Sequence, residues 1–315
     1  MRVIYMGTPE FAVLPLKSIS AAGHEVIAVF TQPDRQKGRG KKVSFSEVKQ
    51  AAIELGLEDK IYQPDKLRDE ESVKVIRDLQ PDIIVVAAYG QILSEEILNI
   101  PKLGCINIHA SLLPLYRGAS PVESAIIDGR EKTGVTIMYM AKGLDTGDMI
   151  SKAEVEITAD DNTETLTAKL SEAGAELVVK TMAELEAGTA ERVPQKDEDS
   201  CYAGKLSKEM GKLDFTQPAV KLERLIRGLY PWPCAYTYLD SKSIKLIKAD
   251  VTELPEDSSF TEPGMIAAVT KKNFTIACGE GALVVRMLQP EGKKTMETVA
   301  FLNGYKLEPG TKLGE

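Results

Sequence analysis

Three polar residues in the stretch 104–148 have the types and spacing that proton transfer requires. Asn107 and His109 are separated by one residue in the apolar segment GCINIHASLLP. On a strand this spacing places both side chains on one face. Asp145 follows a second apolar segment, TGVTIMYM, and we expect its carboxylate to reach the imidazole where the chain leaves that strand. An amide, an imidazole and a carboxylate together can stabilise a developing negative charge and move a proton.

Each of these residues also has a structural interpretation. A histidine at a strand end is often held by its neighbours without doing chemistry, and Asp145 can simply cap the turn 143–147. Asp148 supplies a second carboxylate beside the same turn, and spacing alone does not choose between the two. Only the expected position opposite His109 favours Asp145. His24, the other histidine of the chain, begins a predicted strand and is expected to be structural.

The segments that must position these residues alternate between strand and helix patterns. The predicted strands span 2–6, 24–31, 82–90, 104–109 and 133–140, and the predicted helices span 11–22, 46–56, 69–79, 121–128 and 163–187. Thr8 and Ser46 are predicted to cap the first two helices. This alternation is typical of an α/β fold with a doubly wound, mostly parallel sheet. Ligands of such sheets bind at the carboxyl ends of the strands, where Asn107 and His109 are expected.

A chain of 315 residues favours two domains, and the pattern changes near residue 190. We divide it into a catalytic domain at 1–189, a polar linker at 190–205 and a C-terminal domain at 206–315. In the last of these a helix at 219–228 precedes short alternating segments at 235–239, 243–249, 274–278 and 282–288. Short strands separated by turns favour a small OB-like β-barrel.

The composition argues against several classes of site. The four cysteines are far apart and only His24 and His109 supply imidazoles, so neither a metal site nor a disulfide framework is expected. The first glycine turn, MGTPEF, lacks the Gly-x-Gly-x-x-Gly pattern of dinucleotide-binding folds. The longest apolar runs are too short to cross a bilayer. Because a predicted strand begins at Arg2, where a signal peptide would lie, we expect a cytoplasmic protein.

The net charge of −8 argues against broad nucleic-acid binding, but the charge is unevenly distributed. Residues 206–315 contain 15 Lys and Arg against 14 Asp and Glu, whereas residues 1–205 carry a charge of −9. The loop 33–42, PDRQKGRGKK, holds the cations Arg35, Lys37, Arg39, Lys41 and Lys42. Such a run is either a solvated surface or an arm that contacts phosphates. A nucleic acid responds to a local basic surface, so the acidic balance does not exclude one.

The motifs around the three polar residues resemble those of the folate-dependent formyltransferases. The resemblance rests on Asn107-x-His109 followed by SLLP at 111–114, with the later LDTGD at 144–148. The wider chain is similar to the branch of that family that acts on methionyl-tRNA, through MGTPEF, FTQPDR, AYGQIL, RGASP, GVTIM, the pair Pro194 and Gln195, KLSKE and RGLYPWP. The resemblance is dense over residues 1–150 and sparser after about residue 235.

The resemblance implies a fold, a donor and a set of site residues. The first domain would be a Rossmann-like formyltransferase domain, with Asn107, His109 and Asp145 as its catalytic residues and 10-formyltetrahydrofolate as the donor. The expected folate contacts are Ser111, Leu112, Leu113, Pro114, Ala88, Tyr89, Gly90 and Gln91. The loop 33–42 would enter the acceptor end of the tRNA, and the C-terminal domain would add phosphate contacts along it.

The implied reaction moves the formyl group to the α-amino group of methionyl initiator tRNA, for translation initiation in a bacterial-type cytoplasm. Asn107 and His109 would donate hydrogen bonds to the oxyanion, and Asp145 would accept the proton of the amine. Two alternatives stay open: formyl transfer to a small amine, such as glycinamide ribonucleotide or an amino sugar nucleotide, and a non-catalytic RNA-binding relative. The basic loop and the second domain favour a tRNA acceptor. We expect a monomer.

Overall fold

The structure, a computed structural model, describes residues 1–37, 42–256 and 258–314, with the backbone alone at 36, 37, 42 and 43. The chain folds into two compact units. The first comprises Met1–Pro121, Lys132–Glu156 and Thr167–Ala203, and the second comprises Val122–Glu131, Ile157–Leu166 and Gly204–Glu315. Within the described ranges, no helix combines the length and the apolar character needed to cross a membrane.

The helices follow the apolar periodicity of the sequence. In the described ranges they are α1 (Val13–Ala21), α2 (Glu47–Glu54), α3 (Glu70–Leu79), α4 (Glu95–Leu98), α5 (Pro121–Ile127), α6 (Thr163–Ala187), α7 (Ala219–Gly228) and α8 (Thr298–Gly304). Short 3-10 turns cover Glu10–Ala12, Glu58–Lys60, Asp197–Asp199 and Glu209–Gly211. Leu222 and Ile226, one turn apart in α7, are both buried, as one apolar face of a helix requires. The bounds predicted for α6 and α7 are confirmed.

The first unit contains eleven of the described strands. These are β1 (Arg2–Gly7), β2 (Glu25–Phe30), β3 (Arg35–Lys37), β4 (Lys42–Ser44), β5 (Ile61–Tyr62), β6 (Ile83–Ala87), β7 (Cys105–His109), β8 (Arg117–Gly118), β9 (Lys132–Tyr139), β10 (Met149–Glu156) and β11 (Tyr202–Ala203). Seven of them form one sheet in the order β10-β9-β7-β6-β1-β2-β5. The strands from β5 to β7 in that order run parallel, whereas β9 runs antiparallel to both β7 and β10. The predicted mostly parallel sheet is confirmed.

The turn after β1 differs from the prediction at its cap. Thr8 does not cap a helix: Pro9 precedes the 3-10 turn in an extended conformation, and the helix proper starts only at Val13. The Thr8 hydroxyl instead donates to the carbonyl of Tyr89 at 3.0 Å, which ties the ends of β1 and β6 together. Ser46 caps α2 as predicted, with its hydroxyl accepting a hydrogen bond from the Lys49 amide at 3.1 Å.

The two faces of β7 lie in different surroundings. Ile106 and Ile108 are fully buried on one face, where helix α6 approaches so closely that a Cβ on Gly174 would lie 3.0 Å from Cγ2 of Ile108. The small residue lets the helix close over the strand. Because side chains alternate along a strand, Asn107 and His109 belong to the other face. The core therefore holds one face of β7 rigid, and Asn107 and His109 lie on the opposite face.

The second unit has an antiparallel sheet, which confirms the predicted small β domain. Its strands are β12 (Ala235–Leu239), β13 (Lys242–Thr252), β14 (Ile266–Val269), β15 (Phe274–Ala277), β16 (Ala282–Pro290) and β17 (Met296–Glu297). The order is β12-β13-β16-β15-β14, with β17 paired to β16. Leu246, Ile276 and Leu283 lie in its buried core with Leu222 of α7. Closure of this sheet into an OB-like barrel stays a prediction.

Candidate active site

His109 is the last residue of β7 and is only 6% exposed. Its Nε2 lies 3.0 Å from the carbonyl oxygen of Tyr116. A carbonyl can only accept a hydrogen bond, so Nε2 carries the hydrogen. Nδ1 lies 3.8 Å from Oδ2 of Asp145, which is beyond hydrogen-bond distance but within the range of an ion pair. The ring is thus held between a backbone acceptor and a carboxylate.

Asn107 shares the face of His109 and is half-buried. The side chains of both neighbours along the strand, Ile106 and Ile108, are in the core. Within the described part of the chain the Asn107 amide has no hydrogen-bond partner. Because the residue is half-buried, its amide is open to water or to a bound group.

Asp145 reaches His109 by a route that differs from the expectation. Strand β9 runs antiparallel to β7, with Tyr139 opposite Ile106 and Thr136 opposite His109. The chain therefore leaves β9 beside the start of β7, so the expected meeting of Asp145 with His109 is confirmed, but the loop after β9 and not the strand exit brings it about. Residues 140–148 must turn back along the sheet to bring the carboxylate to its place.

The return of this loop depends on special backbone positions and on hydrogen bonds. Asp145 has a φ of +52°, a left-handed conformation that Asp adopts more readily than most residues. A Cβ on Gly147 would lie 1.8 Å from the Tyr139 carbonyl oxygen, so only glycine fits there. Oδ2 of Asp145 accepts a hydrogen bond of 2.8 Å from the Gly118 amide. The Gln195 side-chain amide donates to the carbonyls of Asp145 at 2.8 Å and Gly147 at 2.7 Å.

Asp148 is engaged elsewhere. Its Oδ2 lies 3.4 Å from Nε of Arg192, and the guanidinium of Arg192 lies 3.9 Å above the ring of Tyr139. The backbone carbonyl of Asp148 accepts a hydrogen bond from the Tyr139 amide at 2.9 Å. Of the two carboxylates that spacing could not separate, the geometry brings Asp145 to the imidazole.

The turn at 111–114 is fixed mainly by buried groups. Ser111 and Leu113 are fully buried, and Thr136 of β9 bonds to both, donating to the Ser111 carbonyl at 2.7 Å and accepting from the Leu113 amide at 3.1 Å. The Lys152 ammonium of β10 donates to the Leu113 carbonyl, and partial burial lowers the pKa of Lys152. The side chains of Ser111 and Leu113 are therefore buried within the protein. The backbone of the turn and the half-buried side chains of Leu112 and Pro114 are the parts that a ligand could contact.

The turn at 88–91 follows the end of β6. Ala88 and Gly90 have φ values of +45° and +87° and are exposed, whereas the Tyr89 ring is buried. The Tyr89 hydroxyl has no partner within the described residues, and burial raises its pKa. Gln91 is tied down, since it accepts from the Leu67 amide at 2.7 Å and donates to the Pro64 carbonyl at 3.0 Å. The exposed part of this turn is mostly backbone.

The basic loop is described only at its two ends. Arg39 and Lys41 lie outside the described residues, and Lys37 and Lys42 are described by their backbone, which pairs β3 with β4. The side chain of Arg35 is exposed.

A polar cluster stands at the base of this hairpin. Nζ of Lys49 lies 2.5 Å from Asp34 and 2.7 Å from Oε1 of Gln63, and the Gln63 amide donates to Asp34 at 2.8 Å. Burial acts to raise the pKa of Asp34, but the bonds from Lys49 and Gln63 outweigh it and lower that pKa. The cluster fixes where the basic loop leaves the first unit.

Several residues near the site escape prediction from the residues alone. Gln195 and Arg117 hold the Asp145 loop, and Thr136 and Lys152 hold the turn at 111–114. Each belongs to a different segment from the group it supports, so local spacing contains no signal for the contact. Resemblance to a known family touched three of them, since Arg117 lies in RGASP, Thr136 in GVTIM and Gln195 in the pair with Pro194, but it gave none of them this role.

Comparison with known proteins identifies the family on both units. The family model described as formyl transferase matches residues 1–182, and that described as formyl transferase, C-terminal domain, matches residues 205–306. The chain is 50% identical over its full length to the whole of a protein named methionyl-tRNA formyltransferase from Lachnospira eligens. It is 49% identical to one so named from Agathobacter rectalis, with 99% of each chain covered.

A solved structure supports the fold. The crystal structure of HypX from Aquifex aeolicus in complex with tetrahydrofolic acid superposes on 99% of this chain with a TM-score of 0.65 at 18% identity. This chain spans about half the length of HypX, since 50% of that protein is covered. At this identity the likeness shows a shared fold. With both family models matched and full-length relatives at about half identity, the chain belongs to the formyl transferase family.

Proposed function

We propose that this protein transfers the formyl group of 10-formyltetrahydrofolate to the α-amino group of methionyl initiator tRNA. The full-length likeness to proteins named methionyl-tRNA formyltransferase supports the acceptor, and the tetrahydrofolic acid bound by HypX supports the donor. The observation that carries the proposal is the unpartnered Asn107 amide beside His109, whose Nδ1 lies 3.8 Å from Asp145. These are the groups that transfer of an acyl-type carbon to an amine requires.

The acceptor needs little activation. An α-amine titrates near ~8, and the neighbouring ester of an aminoacyl-tRNA lowers that value, so a large part is neutral at pH 7. The neutral nitrogen attacks the formyl carbon, and negative charge develops on the formyl oxygen. Asn107 donates a hydrogen bond to that oxygen. Loss of such a donor typically costs about 100–1,000-fold in rate.

Asp145 and His109 handle the proton. As the new nitrogen–carbon bond forms, Asp145 accepts the proton that the amine loses, directly or through a water molecule. The bond from the formyl carbon to the folate nitrogen then breaks, and that nitrogen takes up the proton that Asp145 had accepted, so the products are a formamide and tetrahydrofolate. The bond of Nε2 to the Tyr116 carbonyl keeps the imidazole oriented, with Nδ1 towards the reacting groups. No covalent enzyme intermediate is needed.

The folate is assigned to the two turns that flank β7 and β6. Exposed backbone at Ala88 and Gly90, and the half-buried Leu112 and Pro114, would contact the flat heterocycle. The absence of a side chain at Gly90 leaves room, since the nearest group to a Cβ there would be the Gln32 amide at 3.6 Å. Backbone donors and acceptors beside an apolar wall are the usual means of orienting a planar ligand.

The tRNA is assigned to the basic loop 33–42 and to the C-terminal domain at 206–315. Residues 1–189 would form the catalytic domain, with 190–205 as the linker between the two. The separate family models that match residues 1–182 and 205–306 support a division of the chain into two parts. We propose that the protein acts as a monomer in the cytoplasm, where initiator tRNA is used.

A transfer assay tests the function. Purified protein, 10-formyltetrahydrofolate and methionyl initiator tRNA are expected to give formylmethionyl-tRNA, whereas small amines in the same assay give none. His109→Asn is expected to lower the rate by at least about 100-fold, because it removes the imidazole that faces Asp145, the proton acceptor. Near-normal transfer by that variant, or better transfer to a small amine, contradicts the proposal.

A further inference from the structure

The segment 193–203, here called the strap, is bound to the first unit along its length. Val193 and Met149 exchange two backbone hydrogen bonds of 2.9 Å. Further along, β11 pairs in parallel with β8. This close approach explains a glycine, since a Cβ on Gly118 would lie 2.4 Å from the carbonyl oxygen of Ala203. Most of the segment predicted to be a linker is therefore fixed beside the catalytic residues.

One end of the strap holds Tyr116, whose carbonyl accepts the hydrogen bond from Nε2 of His109. The Tyr116 amide donates to Sγ of Cys201 at 3.1 Å, and the Arg117 amide donates to the Cys201 carbonyl at 2.9 Å. The Tyr116 carbonyl is the group that His109 bonds. The position of one acceptor of the imidazole thus depends on the strap.

The other end of the strap holds the residue that faces Nδ1. A glutamine amide has two N–H donors and one carbonyl acceptor, and Gln195 uses all three. Its two N–H groups donate to the carbonyls of Asp145 and Gly147 at 2.8 and 2.7 Å. Its oxygen accepts a hydrogen bond from Nε of Arg117 at 2.9 Å. Because both donors meet the backbone on either side of Thr146, the bonds fix the direction of the loop as well as its distance.

Side-chain packing does not hold this loop in place. Leu144 is 59% exposed, and Thr146 on the other side of Asp145 is also exposed. Besides the two bonds from Gln195 to the backbone of the loop, the Asp145 side chain accepts a hydrogen bond from the Gly118 amide. Gly118 is itself paired to the strap.

We propose that Gln195 is a positioning residue for formyl transfer, which holds Asp145 at its working distance from His109. This rests on the proposed function of the site. Arg117 completes the arrangement: its side chain is 11% exposed, and its guanidinium bonds Gln195 through Nε and Asp197 through Nη1, both at 2.9 Å. The strap therefore sets both neighbours of the imidazole through one connected set of bonds.

The test replaces the amide and keeps the shape. Gln195→Met has similar length but neither donor, so the Asp145 loop loses both anchors. We expect kcat for methionyl-tRNA to fall about 100-fold, since displacement of a reacting group by about 1 Å costs on that order, while KM for the folate and for the tRNA stays near wild type. Glu198→Gln, an exposed change in the same strap, is the matched control and is expected to keep kcat.

A spectroscopic readout separates this inference from the proposed function. The chain has two histidines, so in a His24→Gln background the imidazole ring-proton NMR signals belong to His109 alone. We expect them to shift in Gln195→Met and to stay in Glu198→Gln. If wild type fails to formylate methionyl-tRNA, the function is wrong, and the NMR result still decides the role of Gln195.

Two outcomes overturn the positioning role. One is an unchanged kcat with unchanged His109 signals, and the other is a rise in KM alone. If Gln195→Met does not fold, Gln195→Asn, which keeps the amide but shortens its reach, carries the same expectation.

Discussion

His109 and Asn107 differ in a way that matters for catalysis. Both ring nitrogens of His109 face a group of the protein, the Tyr116 carbonyl at 3.0 Å and the Asp145 carboxylate at 3.8 Å. The Asn107 amide faces none within the described residues. A site built for a developing charge needs this combination, because one group must be oriented in advance while another keeps its donor for the substrate.

Asp145 and Asp148 form a matched pair for testing the carboxylate. Asp145→Asn is expected to lower kcat by at least about 100-fold, because it removes the proton acceptor beside His109. Asp148→Asn is expected to keep near-normal kcat, since it removes only an ion pair with Arg192 whose side chains are 37% and 60% exposed, and such pairs contribute about 0–1 kcal/mol. Single-turnover formyl transfer with both substrates saturating measures the difference. Equal losses in the two variants would argue against the assignment.

At the scale of elements, β9 and the edge strand β10 build the site as much as β7 does. Thr136 of β9 and Lys152 of β10 point hydrogen-bonding groups at the turn 111–114, which follows β7. The sequence of β10 alternates charged and less polar residues, and its burial alternates likewise. This is the pattern of a strand with one exposed face. Such a strand has no continuous apolar run, so the sequence pattern did not predict it.

Thr136→Val tests this support. The isosteric change removes a fully buried hydroxyl that bonds Ser111 and Leu113, so the free energy of unfolding is expected to fall by about 1–3 kcal/mol and KM for the folate to rise. Thr133→Val is the control, because Thr133 is buried on the same strand and its hydroxyl makes no hydrogen bond within the described residues. Urea unfolding and folate KM are the measurements. Similar effects in both variants would mean that the hydroxyl of Thr136 has no special role.

The hairpin of β3 and β4 depends on the Asp34 cluster in a pH-dependent way. The pKa of Asp34 is lowered in the folded protein, so its contribution to stability is present above the unfolded value of about 3.9 and is lost as the pH falls through the folded value. Asp34→Asn is therefore expected to lower the melting temperature at pH 7, and the difference from wild type should disappear once the pH falls below the lowered pKa of Asp34.

Thermal unfolding across that pH range measures the effect. Asp65→Asn, at a neighbouring exposed carboxylate, is expected to leave the melting temperature unchanged throughout. A difference for Asp34→Asn that is constant with pH would show that the charge is not its source.

At the scale of the whole molecule, charge is divided along the chain. Residues 1–205 carry −9 while residues 206–315 contain 15 cations against 14 anions. An acidic protein that uses a polyanion must recognise it through local basic surfaces. We propose that the loop 33–42 and the C-terminal domain provide them, so we expect tRNA use to be far more sensitive to those cations than to net charge.

Arg39→Ala with Lys41→Ala tests this division. KM for methionyl-tRNA is expected to rise and its dependence on salt to weaken, by about one unit of slope for each lost phosphate contact, while KM for the folate stays unchanged. Lys66→Ala with Arg68→Ala, at exposed cations elsewhere in the first unit, is the control. Steady-state kinetics at several salt concentrations give both quantities. An equal loss of folate affinity would contradict separate sites for the two substrates.

Much of the fold follows from local pattern. Apolar runs such as β6 and periodic segments such as α6 lie where the sequence predicts them, because their burial is decided by their own composition. The elements that prediction missed, such as β10, α4 and α8, are short or carry many polar residues. Their conformation depends on partners that lie elsewhere in the chain.

The sequence by itself determined the family and the shared face of two of the proposed catalytic residues. Asn107 and His109 share a face because side chains alternate along any strand, and that relation needs no tertiary information. The motifs 107–114 and 144–148 then sufficed to identify a formyltransferase, which the family models and full-length relatives bear out.

Only the tertiary structure decided how the site is assembled. It brings Asp145 rather than Asp148 to within 3.8 Å of His109, although the antiparallel direction of β9 sends the chain away from that histidine. It also reveals that Gln195, fifty residues further on, anchors the carbonyl of Asp145. The physical reason is the same in both cases, since strand direction and long-range hydrogen bonds follow from how distant segments pair, and local spacing contains no record of that pairing.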